Sequence, residues 1–345
     1  MSTLEEKEEK TPPLEEKSLS LSEIVGQDKA IAILEQALKN KRIPHAYLFL
    51  GPEGVGRETT ALSFFRRIIC ENQTGCGECI ACQKFRRGNH PDVEIISPRG
   101  KNIKIEQIRE VEKKLNFRPL EAEKRLILFT EAEALTREAA NALLKSLEEP
   151  PLYNLFVLIA QSTEGLLPTI VSRCQIVRFR PVLRKILEKI LVERFGIMPE
   201  EAEGLAVLAE GSLGRALRLA EKGYLEELSR LVKAIVSGRP YFIISSSETL
   251  PKLKEDLPLF WELVLIWLRQ ALVSELGLDK FPSLFPEKPP KDFIIPAMEK
   301  IEKAFMAIQM NLNQELFLLD LLTNLSELWR QTSQAEVAST GTGAA

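Results

Sequence analysis

The chain has 345 residues, of which 45% are hydrophobic and 28% charged, a composition that suits a soluble protein with two or three cored domains. A formal net charge of −3 excludes a protein that coats nucleic acid through bulk electrostatics. The apolar runs at Leu155–Ala160 and around Leu263–Leu268 fall short of the roughly 20 residues of a membrane helix.

The start, MSTLEEKEEK, lacks the apolar core of a signal peptide, so a cytoplasmic protein with reduced thiols is expected. Residues 1–20, rich in Glu and Lys and carrying Pro12 and Pro13, read as a flexible acidic tail. A helical pattern over 22–41 then leads to an apolar strand, YLFL (47–50), a glycine-rich turn, GPEGVGRET (51–59), and a second helix over 57–70.

Strand, glycine turn and helix in that order are the setting of a phosphate loop, whose backbone N–H groups and helix N-terminus cradle phosphate oxygens. Gly51, Gly54 and Gly56 stand where such a loop needs them. Lys followed by Ser or Thr would complete it, but Arg57 and Glu58 occupy those places. The Arg57 fork is bulkier than an ammonium, and Glu58 puts negative charge where phosphate and Mg²⁺ must meet. Thr59 cannot stand in for the missing hydroxyl, because the next helical position is rotated by about 100°. A turn that holds no ligand fits the local residues as well as a degenerate site does.

Next comes CENQTGCGECIAC, in which Cys70, Cys76, Cys79 and Cys82 form a C-x5-C-x2-C-x2-C cluster. Four thiolates closing a tetrahedron are the usual ligands of structural Zn²⁺, with an iron–sulfur cluster as the alternative. His45 and His90 are the only histidines, so no catalytic metal site with an open position is expected. Cys174 lies apart and reads as a small buried apolar residue. Lys84, Arg86 and Arg87 follow the cluster; they suit a nucleic-acid-binding zinc ribbon or simply a solvated face.

Strands at 93–97, 126–129, 155–160 and 175–179 alternate with helices at 103–116 and 136–149, the latter stopped by Pro150 and Pro151. Short apolar runs interleaved with helices indicate a parallel sheet. Strand 126–129 is followed by Thr130 and Glu131, so a threonine stands where a hydrolysing loop needs an aspartate for Mg²⁺. In LLPTIVSRCQIVRF, Arg173 sits between a helix and a strand. It could cap helix carbonyls or pair with a carboxylate, or it could reach a neighbouring subunit's nucleotide as an arginine finger.

Beyond Pro181 the strand signal ends. Helices are expected at 183–195, 199–210, 212–221, 225–236, 260–275 and 296–329, with a Pro-rich break at 281–290 and a flexible tail over 331–345. There is no internal repeat.

YLFLGPEGVGRET, the cysteine cluster, GNHPDVEII, NALLKSLEEPP, SRCQ, GSLGRAL and NLNQELFLLDLL (311–322) together resemble the clamp-loader subunits of bacterial DNA polymerase III, members of the AAA+ class, over roughly residues 22–329. The resemblance is to the branch whose phosphate loop is degraded. It implies an α/β AAA+ domain with a parallel sheet and a P-loop-like turn over 21–181, a zinc module inserted at 70–82, a small helical lid over 182–223 and an all-α collar over 224–330. It further implies that Arg173 acts in trans as the finger, that Gly51, Gly54, Gly56, Arg57, Glu58 and Thr59 form a non-functional loop, and that ATP binding here is doubtful. The implied partners are the ATPase subunits (gamma/tau), a delta subunit and, through the assembly, the sliding clamp and primed DNA. By itself such a chain is not an ATPase; an active gamma/tau-like subunit is the alternative. Two departures stand out. The first cysteine gap is shorter than is common in the family, and Gly214 takes the place of a nucleotide-sensing arginine, with Arg215 one position later.

Overall fold

The structure, a computed structural model, describes residues 20–282, 285, 287–308 and 314–341. Five apolar runs form five parallel strands: β1 (Ala46–Leu50), β2 (Val93–Ile96), β3 (Arg125–Phe129), β4 (Asn154–Ala160) and β5 (Gln175–Arg178). Their order across the sheet is β2-β3-β4-β1-β5, with Leu48 opposite Leu158 on one side and Ile176 on the other. Every residue of β1, β3 and β4 is buried, as a sheet covered on both faces requires.

Side-chain alternation splits the core into two layers. Tyr47, Phe49, Leu126, Leu128, Leu155 and Val157 face α1 (Asp28–Lys39), α2 (Arg57–Ile69) and α3 (Ile80–Arg86). Leu48, Leu50, Ile127, Phe129, Phe156 and Leu158 face α4 (Ile105–Leu115), α5 (Arg137–Glu148) and the short α6 (Pro168–Val171). Because β1 pairs with both β4 and β5, the crevice at its carboxyl end is a topological switch point, where open parallel sheets place ligands. The turn 51–56 lies there.

The chain forms two compact units, one reaching Leu183 and including Ser212–Gly214, the other made of Arg184–Gly211 and the chain from Arg215. The second unit holds α7 (Arg184–Phe195), α8 (Pro199–Leu208), most of α9 (Leu213–Lys222), α10 (Tyr224–Ser237), α11 (Pro240–Thr249), α12 (Leu257–Glu275), α13 (Lys291–Ile308) and α14 (Gln314–Gly341). The expected lid (182–223) and collar (224–330) both fall largely within this unit. Helix α8 packs against α12, an Arg269–Glu210 ion pair (2.5 Å) joins α12 to the turn after α8, and an Arg184–Asp279 ion pair (2.7 Å) joins α7 to the turn after α12.

The expected tail at 331–345 is corrected in part: α14 continues to Gly341, and 342–345 lie outside the described residues. The acidic tail also lies outside them up to residue 19, while Ser20 caps a short turn by donating its N–H to Glu23 Oε2 at 2.6 Å. Of the NLNQELFLLDLL motif, 311–313 fall outside and the rest opens α14. The 19-residue α12, with a mean hydropathy of 1.4 over its most apolar window, is long and apolar enough to cross a membrane, which the apolar runs of the sequence did not suggest. Trp261, Trp267 and Phe260 on it are buried, so it is the core helix of the second unit.

Candidate functional site

Helix α2 carries a candidate site at each end. At its N-terminus the turn after β1 is held by backbone contacts: Gly51 N–H donates to Ala160 O (3.2 Å) and Phe179 N–H to Leu50 O (2.6 Å). Gly51 is required by close approach, since a Cβ there would lie 2.5 Å from Phe179 O. Gly56 caps α2 in the left-handed region with φ 95°, and Gly54 has φ 71°. The turn is therefore held by backbone contacts and glycine conformations.

The side chains that follow the turn are Arg57, Glu58 and Thr59. The Arg57 guanidinium is buried, and its Nη1 meets no hydrogen-bond partner among the described residues. Burial weakens its charged form, which Glu133 and then Glu53 support. Glu58 and Thr59 are half-buried in the first turn of α2, and the Thr59 carbonyl accepts from Ser63 Oγ at 2.7 Å. The Thr130 hydroxyl, at the place of a metal-holding carboxylate, bonds Ser97 Oγ at 3.0 Å and Ile96 O at 3.4 Å.

Glu131, the acidic residue singled out in the sequence, is exposed. Glu133, which sequence reasoning passed over, reaches across to the end of β4 and accepts N–H bonds from Gln161 (2.5 Å) and Ser162 (3.0 Å). Only its position two residues beyond Glu131 hinted at it. Gly214 closes the turn from a distant part of the chain: its N–H donates to Gly54 O at 3.0 Å, and a Cβ on it would lie 3.1 Å from Gly54 Cα. A side chain there would press on loop backbone.

At the other end of α2, Cys70 is the C-cap, while Cys79 caps α3 and Cys82 lies within it. The four sulfurs lie within 4.8 Å of one another, and Cys70 and Cys76 Sγ are 3.6 Å apart. Tetrahedral Zn–S bonds of about 2.3 Å place sulfurs about 3.8 Å apart, so the donor set fits a metal such as zinc. The cluster is ordered by backbone donors, Cys76 N–H to Cys70 Sγ (3.3 Å) and Cys79 N–H to Cys76 Sγ (3.4 Å). Burial pushes the Cys70 thiol up, but N–H groups of Cys76, Thr74 and Asn72 outweigh it and bring the thiol to about 5. Donors from Cys79 and Glu78 lower Cys76 as well, whereas burial raises Cys82. Half-buried Cys174 is set apart, its thiol pushed up to about 12 by burial, and it is less enclosed than expected.

Of the basic residues after the cysteines, Lys84 pairs with Glu121 at 2.5 Å, while Arg86 and Arg87 are exposed. Nearby, buried Asp92 gathers the loop before β3, accepting from the N–H groups of Leu120, Glu121 and Ala122 at 2.7, 2.8 and 2.9 Å.

Arg173 follows α6. Its Nη1 donates to Thr169 O (2.9 Å) and Ser172 Oγ (3.4 Å), and its Nη2 to Glu148 Oε1 (2.6 Å). Both plain contacts expected from sequence are present, and a third of the side chain stays exposed.

Among known families, the model described as DNA polymerase III, delta subunit matches residues 26–183. DNA polymerase III subunit delta-prime of Bacillus subtilis is 30% identical over 261 residues, which cover 73% of this chain and 78% of that one. Subunit tau of the same organism is 35% identical over 216 residues, 62% of this chain but 37% of tau. Among solved structures, a gamma subunit-related protein from Thermotoga maritima aligns over 87% of this chain and 99% of its own at 22% identity and a TM-score of 0.48.

Proposed function

The chain belongs to the delta-prime family of DNA polymerase III clamp-loader subunits, and on that premise we propose that it is a non-hydrolysing subunit serving a neighbour's ATP. The observation that carries this reading is the dismantled metal side of the loop. Mg²⁺-dependent phosphoryl transfer uses a hydroxyl after the loop cation and a carboxylate at the end of the adjacent strand. Here Glu58 and Thr130 stand at those two places, and the Thr130 hydroxyl is tied to Ile96 at the end of β2 and to Ser97 just after it.

In this reading Arg173 extends toward the nucleotide of an adjacent gamma/tau-type ATPase subunit and stabilises charge on the transferring phosphoryl group. The assembly, which also includes a delta subunit, loads a sliding clamp onto primed DNA in the cytoplasm. The four cysteines hold structural Zn²⁺, fixing the knuckle between α2 and α3. The lid and collar divisions remain the family's architecture applied to the second unit.

The test mixes this chain with its ATPase subunits, delta subunit, clamp and primed DNA. Arg173→Ala should lower DNA-stimulated turnover and loading, since an arginine finger in trans is worth about 10³-fold or more at the site it serves. Unchanged turnover would discard the finger.

A gamma/tau-like active ATPase is the second reading, favoured by the retained glycines and the 35% identity to tau. Mg-ATP turnover by the purified chain alone, abolished by Arg57→Ala, would establish it; background turnover eliminates it.

A further inference from the structure

We propose that Glu148 is the positioning residue of Arg173, holding its guanidinium in the plane from which it meets a neighbouring subunit's phosphates. The inference rests on the finger reading and adds to it a residue that acts only through Arg173.

Glu148 is the last residue of α5, followed by the cap Glu149 and by Pro150 and Pro151. A carboxylate at this end of a helix faces the negative pole of the helix dipole, so helix stability does not explain it. Fold stability does not explain it either. The side chains of Arg173 and Glu148 are 33% and 50% exposed, and ion pairs so open to water stabilise little.

The geometry does account for it. Glu148 Oε1 takes Nη2 at 2.6 Å from α5, while Thr169 O and Ser172 Oγ take Nη1 from the α6 segment. The two ends of the fork are thus fixed by two different elements, and part of the fork stays uncommitted. Arginine carries many rotamers, and a side chain that must be ordered on encounter loses that freedom at the moment of reaction. A carboxylate partner orders it beforehand. Since Glu148 ends α5 and Arg173 follows α6, any shift of one helix on the other would move the fork.

The test uses the reconstituted assembly with five forms of this chain: wild type, Glu148→Ala, Arg173→Ala, the double variant and Glu148→Gln as the conservative control. Glu148→Ala should lower kcat for ATP roughly tenfold at the served site with KM little changed, as expected for misplacing a reacting group. Glu148→Gln, which keeps an acceptor, should restore most of it. The double variant should turn over no more slowly than Arg173→Ala, and the melting temperature of Glu148→Ala alone should match wild type. If Arg173→Ala lowers turnover while Glu148→Ala does not, or if the two losses multiply, the positioning role is overturned and the finger stands. If Arg173→Ala changes nothing, both fall.

Discussion

The two ends of helix α2 make opposite kinds of site. Its N-terminal end is built from backbone: Gly51, Gly54 and Gly56 shape the turn, and Gly54 O and Gly51 N–H are spent on contacts with Gly214 and Ala160. Its C-terminal end is built from side chains, four sulfurs drawn together by local N–H donors. A backbone site can lose its ligand chemistry and persist as packing, whereas a side-chain site survives only with its ligands. The turn keeps its glycine geometry with Arg57 and Glu58 beside it, and the cysteine end brings four sulfurs within 4.8 Å of one another.

The comparison is most open to test at the cysteines. Cys76→Ser, or removal of metal by a chelator, should destabilise the knuckle by several kcal/mol, because metal-binding energy is folding energy in so small a module. Metal analysis and protease cleavage within 70–90 would register the change; an identical cleavage pattern with and without chelator would break the contrast. Next comes Gly51→Ala, which forces a Cβ against Phe179 O at 2.5 Å. A loss of about 3 kcal/mol in urea unfolding is expected, typical of severe strain at a core junction.

Arg57→Met should change stability by no more than about 1 kcal/mol, since replacing a buried cation by an apolar chain of similar length removes a desolvated group. If ATP raised the melting temperature of the wild type and not of this variant, the N-terminal end would be a ligand site after all. The smallest effect concerns His90, which lies in the loop that follows α3. Its imidazole is buried, its Nδ1 accepts from Asp92 N–H at 3.2 Å, and burial lowers it below its ordinary 6.5. The unfolded chain therefore takes up a proton that the folded chain refuses. Stability from this group is complete above about pH 6.5 and declines as pH falls below it, a slope that His90→Gln should flatten in urea titrations between pH 7 and 5.5.

Particular elements show what periodicity can report. All five strands fall within one residue of their expected limits, because continuous apolar runs bounded by turns leave little choice. Helix α1 begins at Asp28, six residues after the expected start, since Gly26 takes a positive φ of 78° and breaks the pattern. Helix α11, PYFIISSSET, escaped notice because three serines and two isoleucines are indifferent helix formers; packing against α10 and α14 holds it. The expected helix at 296–329 is covered by two described helices, α13 and α14, with 309–313 outside the described residues, and Pro296 lies inside α13, where buried Phe293 and Ile294 secure the turn before it.

The same distinction runs through the candidate sites. Sequence alone determined the parallel sheet, the glycine turn after β1, the four-cysteine set and the absence of Lys, hydroxyl and Asp from the positions that hydrolysis needs. Each of these is local, carried by spacing or residue type within a few turns of chain. Tertiary structure decided that Glu133 rather than Glu131 stands near Arg57, that Gly214 donates to Gly54, and that Glu148 accepts from Arg173. Those facts join residues up to 160 positions apart, Gly54 and Gly214 being the widest pair, and only the packing of the sheet and its helices brings such residues near one another.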